Sequence, residues 1–254
     1  MPGQAQIKHI RALQQKKFRM LHGSFVVEGE KIVSELLRSD YSISGIYALQ
    51  EWMESNRSVL PAGVPAHVIS EKDLSRISGL SSPNKVVAVA DIPAQQALTP
   101  EGWNGLALYL DCIQDPGNLG TIIRTADWFG VEHVFCSPDT AELYNPKVLQ
   151  ATMGSFLRVR VSGTDLPGLL QNIDIKPVVY GAALNGDNIF HLKPEGPALM
   201  IIGNESKGMA KHLDQFVDRR VMIPGRHTGA DSLNASVASG IIMAWFFASQ
   251  DNSR

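Results

Sequence analysis

"LALYLDCIQDPGNLGTIIRTADWFG", residues 106–130, runs from five apolar residues through a polar turn into a stretch with helical spacing. The opening run shows no alternation of polar and apolar residues, so both of its faces are to be buried, as in a parallel sheet covered by helices on each side. Gly117 and Gly120 allow a tight turn and close backbone approach, Asn118 can cap the new helix, and Arg124 follows about one and a half turns into it. A capped helix with a solvent-facing arginine and a functional loop both fit these residues. The spacing does not match GxGxxG, which argues against a nicotinamide-binding oxidoreductase.

The same alternation continues downstream. "HVFCS", "LRVRVS", "PVVYGAAL", "PALMIIGNE" and "RRVMIPG" read as strands, separated by helical stretches such as "PKVLQATMG", "LPGLLQNI" and "MAKHLDQF". The chain then closes with a long helix over residues 232–249. The prediction is an α/β fold whose domain at residues 106–254 is a parallel sheet between helices. Upstream, "SFVVEG", "SGIYAL", "AHVIS" and "KVVAVAD" alternate with "KIVSELLRS" and "EKDLSRISG", giving a small α/β domain over residues 1–93. "IPAQQALTPEGWNG" has no periodicity and is rich in proline, glycine and small polar residues, so residues 94–105 are assigned to a linker.

With 254 residues, of which 44% are apolar, the chain can bury a substantial core. Its longest apolar runs are too short for a bilayer span, and its amino terminus is polar and basic, so a soluble cytoplasmic protein is expected. Cys112 and Cys136 have no CxxC spacing and read as reduced packing residues. The seven histidines form no HExxH or HxH pattern, so no metal site is expected. A net charge of −2 does not mark a nucleic-acid binder, but charge is unevenly distributed. Residues 1–27 contain no acidic residue while carrying Lys8, Arg11, Lys16, Lys17 and Arg19, either a solvated helix face or a surface for phosphates.

In a parallel sheet all carboxyl-end loops converge on one edge. Three of them carry unusual chemistry: the loop at residues 111–120, "IIGNESKGM" and "IPGRHTGADSLNAS". Glu205 follows a fully apolar strand, where its carboxylate can accept hydrogen bonds from neighbouring loops or cap a short helix. Ser232 and Asn234 can satisfy free N–H groups at the start of the last helix. Ala235, Ser236, Ala238, Ser239 and Gly240 then form a run of small residues that lets another backbone approach closely.

Together the three loops resemble the signature motifs of the SpoU (TrmH-type) branch of the SPOUT RNA methyltransferases. The motifs stand here as Asn118, Gly120 and Arg124; Gly203, Asn204 and Glu205; and Ile223, Pro224, Ser232, Leu233 and Asn234. Order and spacing agree over residues 106–248. "FVVEGEKIVSELL" is similar to the ribosomal-protein-like substrate-binding domain of many members. Two departures stand out: the Ile-Pro loop is about one residue longer than usual and includes Arg226 and His227, and "SLNAS" has alanine where valine is commoner.

The resemblance implies S-adenosylmethionine-dependent methylation of a ribose 2′-hydroxyl in structured RNA, by a homodimer with a deep trefoil knot in its carboxyl-terminal domain. It places the cofactor on Ala182, Leu184, Gly203, Ile223 and Leu233, and the chemistry on Arg124, Asn118, Glu205, Ser232 and Asn234. The extra amino-terminal domain favours 23S ribosomal RNA over transfer RNA, with Lys8, Arg11, Lys16, Lys17 and Arg19 as its RNA contacts. Two alternatives carry over: a transfer RNA 2′-O-methyltransferase, and a catalytically silent RNA-binding ribosome-assembly factor. Trp245, Phe246 and Phe247 belong either to the dimer interface or to the monomer core.

Overall fold

The structure is a computed structural model, described here for residues 3–94, 102–226 and 231–251. The chain divides into two compact units, one comprising Met1–Ala94 with Tyr144–Leu157 and the other Gln95–Leu143 with Arg158–Arg254.

The first unit contains, in order, α1 (Gln4–Ala12), α2 (Lys16–His22), β1 (Ser24–Glu28), α3 (Glu30–Leu36), β2 (Ile43–Ala48), α4 (Gln50–Ser55), β3 (Ala66–Val68), α5 (Glu71–Ile77) and β4 (Val86–Asp91). Its sheet has the order β1-β4-β2-β3, antiparallel except for the β2–β3 pair. Ile7, Ile10 and Leu13 at one end and Leu74 and Ile77 at the other pack into one core with Val26, Val87 and Val89. Apolar side chains at i, i+3 and i+6 on α1 explain why its charged residues face outward. The described part of the basic segment, residues 3–27, thus holds two helices and the start of a strand.

The later β/α chain begins with β5 (Leu106–Leu110), α6 (Pro116–Phe129) and β6 (His133–Cys136), followed by α7 (Pro146–Thr152). The sequence places α7 in the 106–254 domain, whereas Tyr144–Leu157 packs with the first unit. Aromatic packing accounts for the difference. Phe25 sits 4.5 Å from Tyr144 and 6.2 Å from Phe156, and Tyr41 sits 5.8 Å from Phe156, measured between ring centres. Gln150 adds a hydrogen bond of 2.8 Å from its side-chain N–H to the Glu28 carbonyl.

The second unit continues through β7 (Arg160–Gly163), α8 (Leu166–Gln171), β8 (Val178–Asn188), β9 (Ala198–Ile202), β10 (Arg219–Met222) and α9 (Ala235–Asp251). Its six strands are all parallel in the order β10-β8-β9-β5-β6-β7, as the doubly covered sheet predicted. Strands β5, β6 and β9 are buried at every residue, whereas the edges β7 and β10 expose Arg160, Arg219 and Arg220. Charges on edge strands discourage pairing with another chain. Burial pushes the Cys136 thiol up to about 12, so this cysteine acts as a packing group and not as a thiolate.

Two local features shape the carboxyl edge. Arg220 pairs with Gly181 and the next residue, Val221, pairs with Asp187, so residues 182–186 of β8 have no counterpart on β10 and bulge from the ladder. A Cβ on Gly186 would lie 2.6 Å from the Val221 nitrogen, so a side chain there has no room. No described helix is long and apolar enough to cross a membrane.

Candidate active site at the carboxyl edge of the sheet

β5 and β9 are neighbours, and the chain leaves β5 towards β6 on one side while β9 and β8 lie on the other. This reversal of strand order opens a crevice at the carboxyl ends, where open α/β sheets bind ligands. The loop after β5 enters α6 through Asp115, whose carboxylate accepts the backbone N–H of Asn118 at 2.8 Å, with Pro116 at the first helical position. Asp115 is therefore the cap, not Asn118 as the sequence suggested. Relieved of capping, the Asn118 side chain reaches across to the loop after β9.

There its Nδ2 donates to Glu205 Oε1 at 2.5 Å, and its Oδ1 accepts from Asn234 Nδ2 at 2.9 Å. A carboxylate only accepts, so Glu205 dictates which end of the Asn118 amide faces it, and that in turn obliges Asn234 to donate. Asn234 Oδ1 completes the chain by accepting the backbone N–H groups of Ser236 at 2.9 Å and Val237 at 3.4 Å, as well as the Ser236 hydroxyl at 2.6 Å. Asn234 thus caps α9 while holding Asn118, as its position at the helix mouth suggested. Ser232 is not a cap; its hydroxyl donates to the Glu205 carbonyl at 3.4 Å. Glu205 and Asn234, separated from Asn118 by 87 and 116 residues of chain, are joined through its one amide.

The loop carrying Glu205 is itself braced. Asn204 Oδ1 accepts the N–H groups of Ser206 at 3.0 Å and Lys207 at 3.2 Å, and its Nδ2 donates to the Cys112 carbonyl at 3.0 Å. Cys112 adopts a left-handed φ of 58° at the end of β5, with its N–H on the Ser137 hydroxyl at 2.9 Å. Asn204 was legible only as part of the motif, and the roles of Asp115, Cys112 and Ser137 were not read from the sequence. The Ser/Thr/Asp/Asn preference at helix starts could have identified Asp115, since it directly precedes Pro116.

The remaining expected residues have simpler surroundings. Arg124 is exposed on α6 and makes no hydrogen bond or ion pair with a described residue. Gly203 cannot carry a side chain, because a Cβ there would overlap the backbone of Gly208 and Met209. Ala182 and Ile223 are half-buried, whereas Leu184 and Leu233 are 75% and 44% exposed. Arg226 is exposed and His227 lies outside the described residues. α9 packs on α6, and Gly240 faces Thr125, where an added Cβ would sit 3.7 Å from the methyl group.

Of the amino-terminal cations, Lys8, Arg11, Lys16 and Lys17 are exposed. Arg19 departs from expectation. It is 2% exposed, and its guanidinium donates to the carbonyls of Leu13 and Gln14, both at 2.9 Å, so it holds the turn between α1 and α2 and does not face a ligand. Among the described residues no group of three His, Cys, Asp or Glu side chains could hold a metal ion.

Residues 105–244 match the model of the SpoU rRNA Methylase family. The chain belongs to this family. Residues 4–88 match the MRM3-like substrate binding domain, so the SpoU domain and its amino-terminal companion together account for most of the sequence. A relative from Bacillus subtilis, the 23S rRNA (guanosine(2553)-2′-O)-methyltransferase RlmP, is 31% identical over 239 residues, covering 93% of this chain and 94% of RlmP. A solved TrmH-family protein from Porphyromonas gingivalis is similar at 32% identity with a TM-score of 0.86, covering 97% of this chain and 98% of that one. The AdoMet-bound rRNA methyltransferase from Sinorhizobium meliloti is 28% identical with a TM-score of 0.84, covering 98% and 95%. Of the motif residues of this SpoU protein, Asn118, Glu205, Ser232 and Asn234 are joined by hydrogen bonds, whereas Arg124 stands free of them among the described residues.

Proposed function

We propose that this SpoU protein transfers a methyl group from S-adenosylmethionine to a ribose 2′-hydroxyl of 23S ribosomal RNA. The observation that carries the reading is the link from Glu205 through Asn118 to Asn234, which gathers three distant motifs of an RNA methylase family at a sheet edge suited to ligands.

The residues present fit the cofactor. Residues 182–186 have no ladder partner on β10, and Leu184 and Leu233 are exposed apolar side chains of the kind an adenosyl group would cover. Ala182, Leu184, Gly203, Ile223 and Leu233 are the positions proposed to hold it. When bound, S-adenosylmethionine supplies a methyl group already activated on a sulfonium.

What remains for the protein is to place the ribose oxygen and manage its proton. Asn118 spends both ends of its amide on its neighbours, so it acts as a fixed strut. Glu205 Oε2 makes no hydrogen bond with a described residue and is left to meet the nucleotide. Arg124 does not serve as a base, because a guanidinium offers only N–H donors and no acceptor for a proton. It binds the phosphate next to the target ribose and stabilises the negative charge that develops on O2′, with that phosphate relaying the proton. Ser232 holds the Glu205 main chain.

The protein is further proposed to act as a cytoplasmic homodimer. Trp245 and Phe246 are 5% and 0% exposed, and Phe247 stacks on Phe129 at 6.0 Å, so these rings serve the monomer core. Thr121, Arg124 and Trp128 lie at i, i+3 and i+7 on the exposed face of α6, where Trp128 is 86% exposed. That face supports an interface bringing Arg124 beside the partner subunit. The trefoil knot belongs to the same reading; in its favour, β10 lies at the sheet edge beside β8, whereas α9 packs against α6, the helix following central β5.

Mapping 2′-O-methyl nucleotides in the ribosomal and transfer RNA of cells with and without this protein tests the function. One ribosomal position should lose its methyl group when the protein is absent. An unchanged ribosomal map with a missing transfer RNA methyl would replace the substrate.

A further inference from the structure

The amino-terminal unit contains a concentration of cations that the sequence shows only in part. α1 and α5 pack through Ile7, Ile10, Leu74 and Ile77, and beside this seam lies a hollow of about 300 Å³ lined by Gln4, Ile7, Lys8, Arg11 and Arg76. Three cations from two helices therefore border one space, and no carboxylate lines it. Lys8 and Arg11 make no ion pair or hydrogen bond with a described residue. Arg76 is held in place: one terminal nitrogen donates to Asp73 Oδ1 at 3.2 Å and the other to Gln4 Oε1 at 2.8 Å, with 42% of the side chain exposed.

Like charges around one hollow repel, and a surface shaped only for solubility intersperses the two signs. The single acidic partner, Asp73, forms an exposed pair of the weak kind and leaves Lys8 and Arg11 uncompensated. An anion entering the hollow relieves that repulsion. Ile7 and Gln4 complete its lining, and the Arg76 guanidinium, held by Asp73 and Gln4 through two of its five N–H groups, keeps the others for phosphate oxygens.

We infer that this hollow seats a backbone phosphate of the RNA substrate, with Lys8 and Arg11 supplying charge and Arg76 fixing position. The inference rests on the RNA methyltransferase reading and adds a residue that the basic amino-terminal segment does not contain. It also sorts that segment: Arg19 is internal, and Lys16 and Lys17 do not line the hollow.

The test uses the full chain, a fluorescently labelled 23S rRNA transcript and anisotropy titrations over a range of salt concentrations. Arg76→Gln and the double variant Lys8→Gln/Arg11→Gln should each weaken binding about tenfold and reduce the salt slope by about one for every phosphate that is no longer neutralised. Lys72→Gln, which removes an exposed α5 cation outside the hollow, should stay within about twofold of the parent. Arg76→Lys should recover much of the slope but not the full affinity, a pattern that unfolding does not produce. S-adenosylmethionine binding by calorimetry should be unchanged in every variant. Wild-type affinity and slope in both Arg76→Gln and Lys8→Gln/Arg11→Gln would overturn the seat while leaving methyl transfer intact. Absence of methyl transfer by the parent chain would instead overturn the functional reading, and the titrations would still decide the seat.

Discussion

Asn118 Nδ2 and Glu205 Oε1 are 2.5 Å apart, although the two residues lie on loops that follow different strands. The contact is polar at both ends in a fixed sense, because Asn118 donates to a carboxylate and accepts from Asn234. Replacing the donor by an acceptor therefore breaks one bond and sets two carboxylates against each other.

Asn118→Asp should keep the fold, since the capping bond to Asp115 uses the Asn118 backbone N–H. It should lower methyl transfer by about 10²–10³, the scale on which removing one preorganised donor acts. Initial rates at saturating cofactor, alongside thermal melts, measure both. A rate within about threefold of the parent would separate this contact from catalysis.

Arg124→Ala removes an exposed guanidinium with no partner among the described residues, so stability should change by less than about 0.5 kcal/mol. Methyl transfer should fall to background while calorimetry still detects cofactor binding. Turnover near the parent value would remove Arg124 from the mechanism.

Trp128 is 86% exposed on the face it shares with Arg124. A charge placed there, as in Trp128→Glu, should shift sedimentation velocity from dimer towards monomer and reduce transfer with it. A parent chain that sediments as a stable monomer contradicts the proposed assembly.

His133 is buried against Phe135, with ring centres 5.9 Å apart, and burial, then nearby Arg160, hold its pKa below the usual 6.5. The unfolded chain therefore takes up a proton first as pH falls. This contribution to stability is intact well above pH 6.5 and declines from there down to the lowered folded value. Melting temperatures measured from about pH 7.5 to about 5.5 should fall, and His133→Phe should flatten part of that fall. The pKa of His9 is also lowered, by burial and by His22, and His9 contributes in the same sense. An unaltered pH profile in His133→Phe would contradict this assignment.

Much of the second unit was legible because doubly buried strands such as "LALYL" and "ALMII" carry an unbroken apolar signal, and the helices between them carry a different period. The convergence of Asn118, Glu205 and Asn234 followed from the rule for parallel sheets, not from any local signal. What was not legible depends on distant contacts. The departure of Tyr144–Leu157 to the first unit rests on rings at Phe25 and Tyr41, about a hundred residues or more away along the chain. The burial of Arg19 rests on two carbonyls at the end of α1, whereas its sequence neighbours Lys16 and Lys17 gave it the look of a surface cation. The gap in the β8–β10 ladder requires knowledge of the register, which alternation along either strand does not reveal.

The central claim is tested most directly by incubating the purified chain with methyl-labelled S-adenosylmethionine and unmodified 23S ribosomal or transfer RNA, then digesting the product to nucleosides. Label is expected in a single 2′-O-methylated nucleoside from ribosomal RNA. Label on a base, or no transfer from a chain that binds the cofactor, would contradict it.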